Sequence, residues 1–196
     1  MDLVAKPLTG AFVRLEPIGA SHIAGLRAAA DDASLWDWMP LKLSGDEFED
    51  GWSKLAPEFE RIDRITFVVL CAASGEVAGS TSFLAIDARN RRAEIGWTWY
   101  AARFHGSAVN PECKKLMLAH AFACGAERVE FKTDAKNARS RAALKKLGAV
   151  EEGALRRHML RPDGTFRDSV YYSILKEEWP AVREGLDRRL DAYEAA

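Results

Sequence analysis

Cysteine is scarce in this chain: Cys71, Cys113 and Cys124 are the only three in 196 residues. An odd count at unrelated spacings points to neither a disulfide framework nor a zinc site. It fits reduced, mostly buried thiols in a cytoplasmic protein. Net charge is nearly absent as well. Lys and Arg total 28 against 29 Asp and Glu, which leaves −1. A chain so balanced has no basic field to attract nucleic acid or an acidic membrane, so neither is expected as a partner. No apolar run approaches the roughly 20 residues of a membrane-spanning helix. The opening MDLVAKPLTG lacks the apolar centre of a secretion signal. Internal repeats and low-complexity stretches are missing too. What is there is ordinary for a soluble fold, 48% hydrophobic and 29% charged residues. The length suits one domain with a core of its own.

Periodicity divides the chain. Phe12–Glu16 reads as a strand ended by Pro17. Ser21 is placed to cap a helix running to about Ala30. Leu35–Pro40 holds Trp36 and Trp38 and reads as a packed loop. Ser44 and Glu47 have the spacing of a capping box, ahead of Phe48, Trp52, Leu55 and Phe59 at helical intervals. Ile65–Leu70, buried on both faces, and Val77–Leu84 flank the turn Ser74-Gly75 and predict an antiparallel hairpin. Ile95, Trp97 and Trp99 alternate with Glu94, Gly96 and Thr98 as a strand. Asn110-Pro111 is a helix start, with Asn110 as cap. Leu118 with Phe122, and Leu116 with Ala119 and Ala123, form that helix's apolar face, and Gly125 closes it. Arg128–Thr133 follows as a strand, parallel to Glu94–Tyr100 through a right-handed crossover. Asn137 caps a helix ending at Leu147-Gly148. Val150–Leu160 and Arg167–Leu175 are strands joined at Arg161-Pro162-Asp163-Gly164. A last helix opens near Pro180, with Trp179, Val182, Leu186, Leu190 and Tyr193 in step. The sum is a mixed α/β sheet with helices on both faces.

Between the central strand and its helix stands Arg103-Phe104-His105-Gly106-Ser107-Ala108. A loop of small residues entering a helix N-terminus turns several backbone N–H groups toward one point. With the helix dipole these make an anion site, and phosphate is the usual guest. Arg103-x-x-Gly106-x-Ala108 resembles the pyrophosphate loop of the GNAT N-acetyltransferases. The flanking Ala93-Glu94-Ile95-Gly96-Trp97 and Ala119-His120-Ala121-Phe122 resemble the RimJ/RimL-type branch. A second segment, Asn137-Ala138-Arg139-Ser140 followed by Leu147-Gly148-Ala149, is similar to that branch's Asn-x-x-Ser element. The order of elements agrees up to the last pair of strands, so the resemblance covers nearly the whole chain.

The resemblance implies a GNAT, or acyl-CoA N-acyltransferase, fold over residues 1–196, with 177–196 as an added C-terminal helix. That helix packs on the sheet or on a second copy of the chain. The fold implied is a mixed, mostly antiparallel sheet whose central parallel pair splays. Acetyl-CoA is the implied cosubstrate, and no metal is required. The loop Arg103, Phe104, His105, Gly106, Ser107, Ala108, Val109 and Asn110 would hold the diphosphate. An N–H near Thr98, Trp99 and Tyr100 would polarise the thioester carbonyl. Asn137 would contact the pantetheine arm, and Ser140 would lie near the sulfur. Ser107 in the middle of the loop, and the late Asn110-Pro111, depart from many relatives.

For the general base, Glu94 is the first choice, in the branch's Glu-Ile-Gly segment, against a solvated strand-end glutamate. Tyr171, Tyr172 and His158 are reserves. Trp36, Trp38 and Tyr171 are the candidates for the acceptor pocket, while Trp52 belongs to a core by its helical spacing. The acceptor is a primary amine, either a protein N-terminus or a small molecule. Asp31, Asp32, Asp37, Asp46, Glu47 and Glu49 would favour a cationic one. Two rival readings are a non-catalytic acyl-CoA sensor or assembly module, and a binder of some other phosphorylated ligand.

Overall fold

Phe67 and Val68 are neighbours in sequence and lie in two different cores. That alternation, repeated along a strand apolar on both faces, sets the architecture. The computed structural model describes residues 1–161 and 163–194. Its strands are β1 (Leu8–Thr9), β2 (Val13–Pro17), β3 (Ile65–Cys71), β4 (Val77–Asp87), β5 (Arg92–Tyr100), β6 (Arg128–Asp134), β7 (Val150–Leu160) and β8 (Phe166–Leu175). They form one sheet in the order β1-β2-β3-β4-β5-β6-β8-β7. Neighbours are antiparallel, apart from the parallel pair β5 and β6. This is the mixed, mostly antiparallel sheet with a central parallel pair expected from the sequence.

The helices are α1 (Ile23–Ala29), α2 (Phe48–Leu55), α3 (Val109–Ala123), α4 (Ala138–Leu147) and α5 (Trp179–Glu194). One core joins Leu15, Phe67, Phe83, Ile95 and Phe131 of the sheet to Met117 and Leu118 of α3, Leu144 of α4 and Leu186 of α5. The other joins Val68, Leu70 and Trp99 to Leu26 of α1, Phe48 of α2 and Trp36. Helices therefore cover both faces, and α5 lies mainly along α3. Among the described residues no helix is long and apolar enough to cross a membrane.

Several boundaries differ from the sequence reading, each for a local reason. Strand β1 was not expected, since two residues carry no period. Ser21 sits inside a 3-10 turn, Ala20–His22, and is not the cap of α1. Ser44 precedes another such turn, Gly45–Glu47, and its side chain makes no capping bond, so α2 begins only at Phe48. Asn110 lies inside α3, whose cap position is Ala108. Pro111 is tolerated there because the N–H groups of a first turn have no intrahelical acceptor. Leu118 and Phe122 are buried as expected, but Ala119 and Ala123 are exposed and Leu116 half-buried; Cys113, Met117 and Ala121 complete the buried face of α3. Asn137 caps α4 as expected, its Oδ1 accepting the Ser140 N–H at 3.0 Å, and Gly148 ends the helix at φ 92°. In the β7–β8 turn, Pro162 lies outside the described residues. The Gly164 N–H donates to the Arg161 carbonyl at 3.0 Å.

One tie fixes α3 against the sheet. The buried Glu112 carboxylate accepts three backbone N–H groups, from Ala11 (2.8 Å), Phe12 (2.6 Å) and Val13 (2.7 Å). A carboxylate replaces the lost hydration of all three donors at once, and charge-assisted bonds of this kind are the stronger ones. Glu112→Ala leaves those donors unpaired and is expected to lower unfolding stability by about 3 kcal/mol, measured by urea denaturation. A loss below about 1 kcal/mol would show that β2 is held by apolar packing alone.

Candidate functional site

The site begins where a ladder stops. Strands β5 and β6 pair at Arg92↔Arg128, Ala93↔Val129 and Glu94↔Glu130, and no further. Yet β5 continues to Tyr100 and β6 to Asp134. The cause lies on the other side of β5. Ser80 opposes Trp99, but Ser82 opposes Gly96, so β5 carries one more residue than β4 over that span. This is a bulge, and a bulged strand bends. Trp97, inside it, has φ +50°, a backbone region unusual for a bulky residue. The Arg64 guanidinium lies 5.3 Å over the Trp97 ring and 5.4 Å over Phe59, and its Nε donates to Thr66 Oγ1 at 3.0 Å. The bend opens a wedge between the far halves of β5 and β6.

The loop of residues 103–108 stands at the mouth of this wedge, between the end of β5 and α3. Phe104 and His105 use their N–H groups inside the loop, on the carbonyls of Ala101 and Ala102 at 2.9 and 3.0 Å. The Ser107 hydroxyl donates to the Phe104 carbonyl at 2.7 Å and accepts the Val109 N–H at 3.3 Å. Among the described residues the N–H groups of Gly106, Ala108 and Asn110 have no hydrogen-bond partner. Three open donors at a helix N-terminus fit an anion such as a diphosphate. Gly106 sits at φ +76° with no atom near where a Cβ would stand, so backbone conformation, not space, selects glycine there. Its carbonyl accepts the Tyr193 hydroxyl of α5 at 2.8 Å. Ala108 and Val109 bury their side chains and leave only backbone to the mouth. The Arg103 side chain turns outward, pairing with Glu76 and lying 5.0 Å over Phe104.

The N-terminus of α4 forms the opposite lip. His105 Nε2 donates to the Tyr100 carbonyl at 2.9 Å, which leaves Nδ1 to accept from Arg139 of α4 at 3.5 Å. The loop and the Asn137–Ser140 segment therefore meet across the opening. Asp134, buried at the end of β6, fixes this lip. Its Oδ2 accepts two bonds from Arg161 (3.0 and 2.8 Å), and its Oδ1 takes the Lys136 N–H at 2.9 Å.

On the opposite face of the sheet, where β5 and β6 part, lies Glu94. It is 5% exposed and ion-paired to Lys132 Nζ at 3.0 Å, so the solvated strand-end glutamate does not apply. The Lys132 ammonium also lies 5.9 Å over the Tyr171 ring, and His158 packs edge-on to Tyr171 at 5.7 Å. Ser169, buried beside them, bonds His158 Nδ1 at 3.0 Å and Arg167 Nε at 3.1 Å. His158 is held below the ordinary histidine range by loss of hydration and by the cations Lys132 and Arg167. Tyr172, on the other face as alternation requires, donates to Glu151 at 2.8 Å and belongs to the structure around α4.

The tryptophans divide. Trp36 is 2% exposed, its indole N–H donates to the Ala30 carbonyl at 2.9 Å, and it packs 5.1 Å from Trp99. It is therefore core and offers no wall to a pocket, a correction to the sequence reading. Trp38 is 42% exposed and remains available. Trp52 stacks on Phe48 at 5.6 Å, as its spacing implied.

Sequence reading missed Lys132, Arg167 and Ser169, whose β6–β8 register places Lys132 opposite Tyr171. Period-two patterns in both strands carried that information, but not which strands pair. It also missed Lys114. This lysine of α3 points at the sheet, is 9% exposed, and donates to Thr98 Oγ1 at 3.0 Å. Burial pulls its pKa down to about 8.

Comparison with known proteins bears on this geometry. A profile of the GNAT acetyltransferase domain matches residues 13–150. The Bacillus subtilis (strain 168) protein YdaF, provisionally named a ribosomal N-acetyltransferase, is 37% identical over 106 residues, 54% of this chain and 57% of its own. The chain spans little more than half the length of the curated relatives it matches, between 56% and 63%. Among solved structures, a GCN5-related N-acetyltransferase from Brucella melitensis superposes with a TM-score of 0.87 at 30% identity, over 96% of this chain and 86% of that one. Mycobacterium smegmatis RimJ, solved in complex with CoA-disulfide, superposes with a TM-score of 0.76 at 26% identity, over 94% and 93%.

Lys114 has a measurable signature. Its folded pKa lies below the unfolded value, so between about pH 8 and 10.5 the unfolded chain binds more protons there, and stability from this group rises with pH. Lys114→Met is therefore expected to stabilise the fold by about 3 kcal/mol below pH 8, with the advantage fading toward pH 10.5. Urea unfolding of both proteins across that range checks it; a difference independent of pH would contradict it.

Proposed function

The chain belongs to the GNAT acetyltransferase family, and we propose that it transfers the acetyl group of acetyl-CoA to a primary amine in a ternary complex. The observation that carries this reading is the wedge between β5 and β6 with three open backbone donors at its mouth. An extended pantetheine arm suits a gap between two parallel strands. The N–H groups of Gly106, Ala108 and Asn110 suit its diphosphate. Asn137, already held as the cap of α4, borders the same gap from the other side.

Each catalytic role follows from this placement. Beyond Glu94 the side of β5 that faces β6 has no ladder partner, which leaves a backbone N–H in the Thr98–Tyr100 stretch to polarise the thioester carbonyl. A fixed donor of this kind contributes about a hundredfold to a thousandfold in rate. Glu94 takes the proton of the attacking amine, with the Lys132 ammonium paired beside it. Ser140 donates a hydrogen bond toward the sulfur. Tyr171 and the exposed Trp38 line the acceptor side, on the face that also holds His158. The acceptor is the amine of a protein N-terminus or of a small molecule; the ribosomal N-acetyltransferase name given to YdaF favours a protein. The chemistry proceeds in the cytoplasm.

The decisive experiment is calorimetric titration of the protein with acetyl-CoA, with dephospho-CoA and ATP as comparison ligands. Micromolar binding, about −8 kcal/mol, is expected for acetyl-CoA; no binding would remove the reading. Gly106→Val forces a branched side chain to φ +76° and is expected to weaken that binding at least about tenfold. Glu94→Gln is expected to leave acetyl-CoA binding intact and lower kcat about a hundredfold in an assay of amine-dependent thiol release. Tight binding with no thiol release from any peptide or small amine would favour the non-catalytic sensor.

A further inference from the structure

A buried ammonium needs a reason to stay charged in the interior. Lys115, next in sequence, pairs with Asp187 at 2.5 Å. Lys114 turns the other way, and among the described residues no carboxylate lies within ion-pair distance of it. Its Nζ is 3.0 Å from Thr98 Oγ1 on β5 and 5.8 Å from the Phe131 ring on β6. Both residues lie past the last paired positions, Phe131 next after Glu130 and Thr98 four residues after Glu94. The ammonium thus stands against both strands where they no longer pair. Thr98 is held in turn by Thr81, hydroxyl to hydroxyl at 2.7 Å, and Thr81 donates to Met117 Sδ at 3.4 Å. This short polar chain aims the lysine and gives it a single neutral acceptor. An ammonium has three donors, so the site is built for a further acceptor or anion entering from the wedge.

We propose, on the coenzyme reading given above, that Lys114 is a catalytic residue that meets the thioester sulfur and protonates the departing thiolate. As the amine nitrogen forms its bond to the acetyl carbon, the carbon–sulfur bond breaks and its electron pair stays on sulfur. The Nζ proton of Lys114 passes to sulfur and yields the free thiol. The excess proton of the amine passes to Glu94, and solvent restores the ammonium. A lysine held near 8 by burial is matched to a thiol, whose ordinary pKa is about 8.5. A serine hydroxyl such as that of Ser140 is far too weak an acid for the same task. The groups that face Lys114 do not compete for the proton. Cys113 on its own helix and Tyr100 on β5 are both pushed up by burial, Thr81, Thr98 and Phe131 carry no charge, and Glu94 and Lys132 lie across the sheet.

The test reads the bound product and does not depend on turnover. Thiolate absorbs in the ultraviolet, so the protein loaded with CoA, minus the protein loaded with acetyl-CoA, reports the ionisation of the bound thiol across pH. In the wild type the bound thiol is expected to be about tenfold more ionised than free CoA at the same pH below its pKa. In Lys114→Met, with CoA binding retained by calorimetry, that excess is expected to vanish. A wild-type bound thiol no more ionised than free CoA would overturn the proposal, and so would an unchanged excess in Lys114→Met. Should Lys114→Met fail to fold, the wild-type titration alone decides. Absence of CoA binding to the wild type is a different failure: it overturns the coenzyme reading and this assignment with it.

Discussion

Everything around the site depends on a parallel ladder that ends after three residue pairs. A strand in the middle of a sheet normally has partners on both sides, because unpaired backbone groups in the interior are unfavourable. Here β6 keeps its full antiparallel pairing with β8, and β5 keeps β4, so each loses only the side facing the other. The fold thereby holds two internal sheet edges inside a well-packed body. Both cores, the loop, and the N-terminus of α4 are arranged around that one interruption.

Polar burial is distributed accordingly. Three buried carboxylates are each taken up by fixed partners. Glu112 takes three backbone donors, Asp134 takes two bonds from Arg161 and one from its own turn, and Glu94 holds Lys132. These groups set geometry: α3 on β2, the lip before α4, and the face where the strands part. The loop donors and Lys114 differ in having capacity left over. In a native interior such surplus is rare, and the loop donors and Lys114 both border the wedge.

Much of the framework could be read before any coordinates. The β3–β4 hairpin, the strand–helix–strand unit and α4 with both its caps rest on local signals: alternation, Asn137, Gly148. The resemblance of the Arg103–Ala108 and Asn137–Ser140 segments to GNAT elements located the two lips. What could not be read arises from pairing. Trp97 at positive φ carries no sequence mark, since neither glycine nor asparagine stands there, and the bulge shows only in the β4–β5 register. Trp36 and Trp38 look alike in sequence, and only the packing of Trp36 on Trp99 tells them apart. Lys114 stands beside Lys115 with nothing in the sequence to set it apart; its inward turn depends on which face of α3 meets the opened strands. The Ser44–Glu47 spacing was right for a cap, but a 3-10 turn intervened, and spacing alone does not distinguish the two.

The bond from Tyr193 to the Gly106 carbonyl joins the last turn of α5 to the loop at the mouth. Terminal turns of helices fray, because their last carbonyls have no partners within the helix. When this one unwinds, the hydroxyl leaves with it and the Gly106 peptide is free to rotate. The conformational entropy of the loop is thus tied to a helix–coil balance some 87 residues further along the chain. Warming shifts that balance toward coil. The Gly106 peptide at the mouth of the wedge thereby gains freedom, while His105 and Ser107 keep their own bonds to the Tyr100 and Phe104 carbonyls.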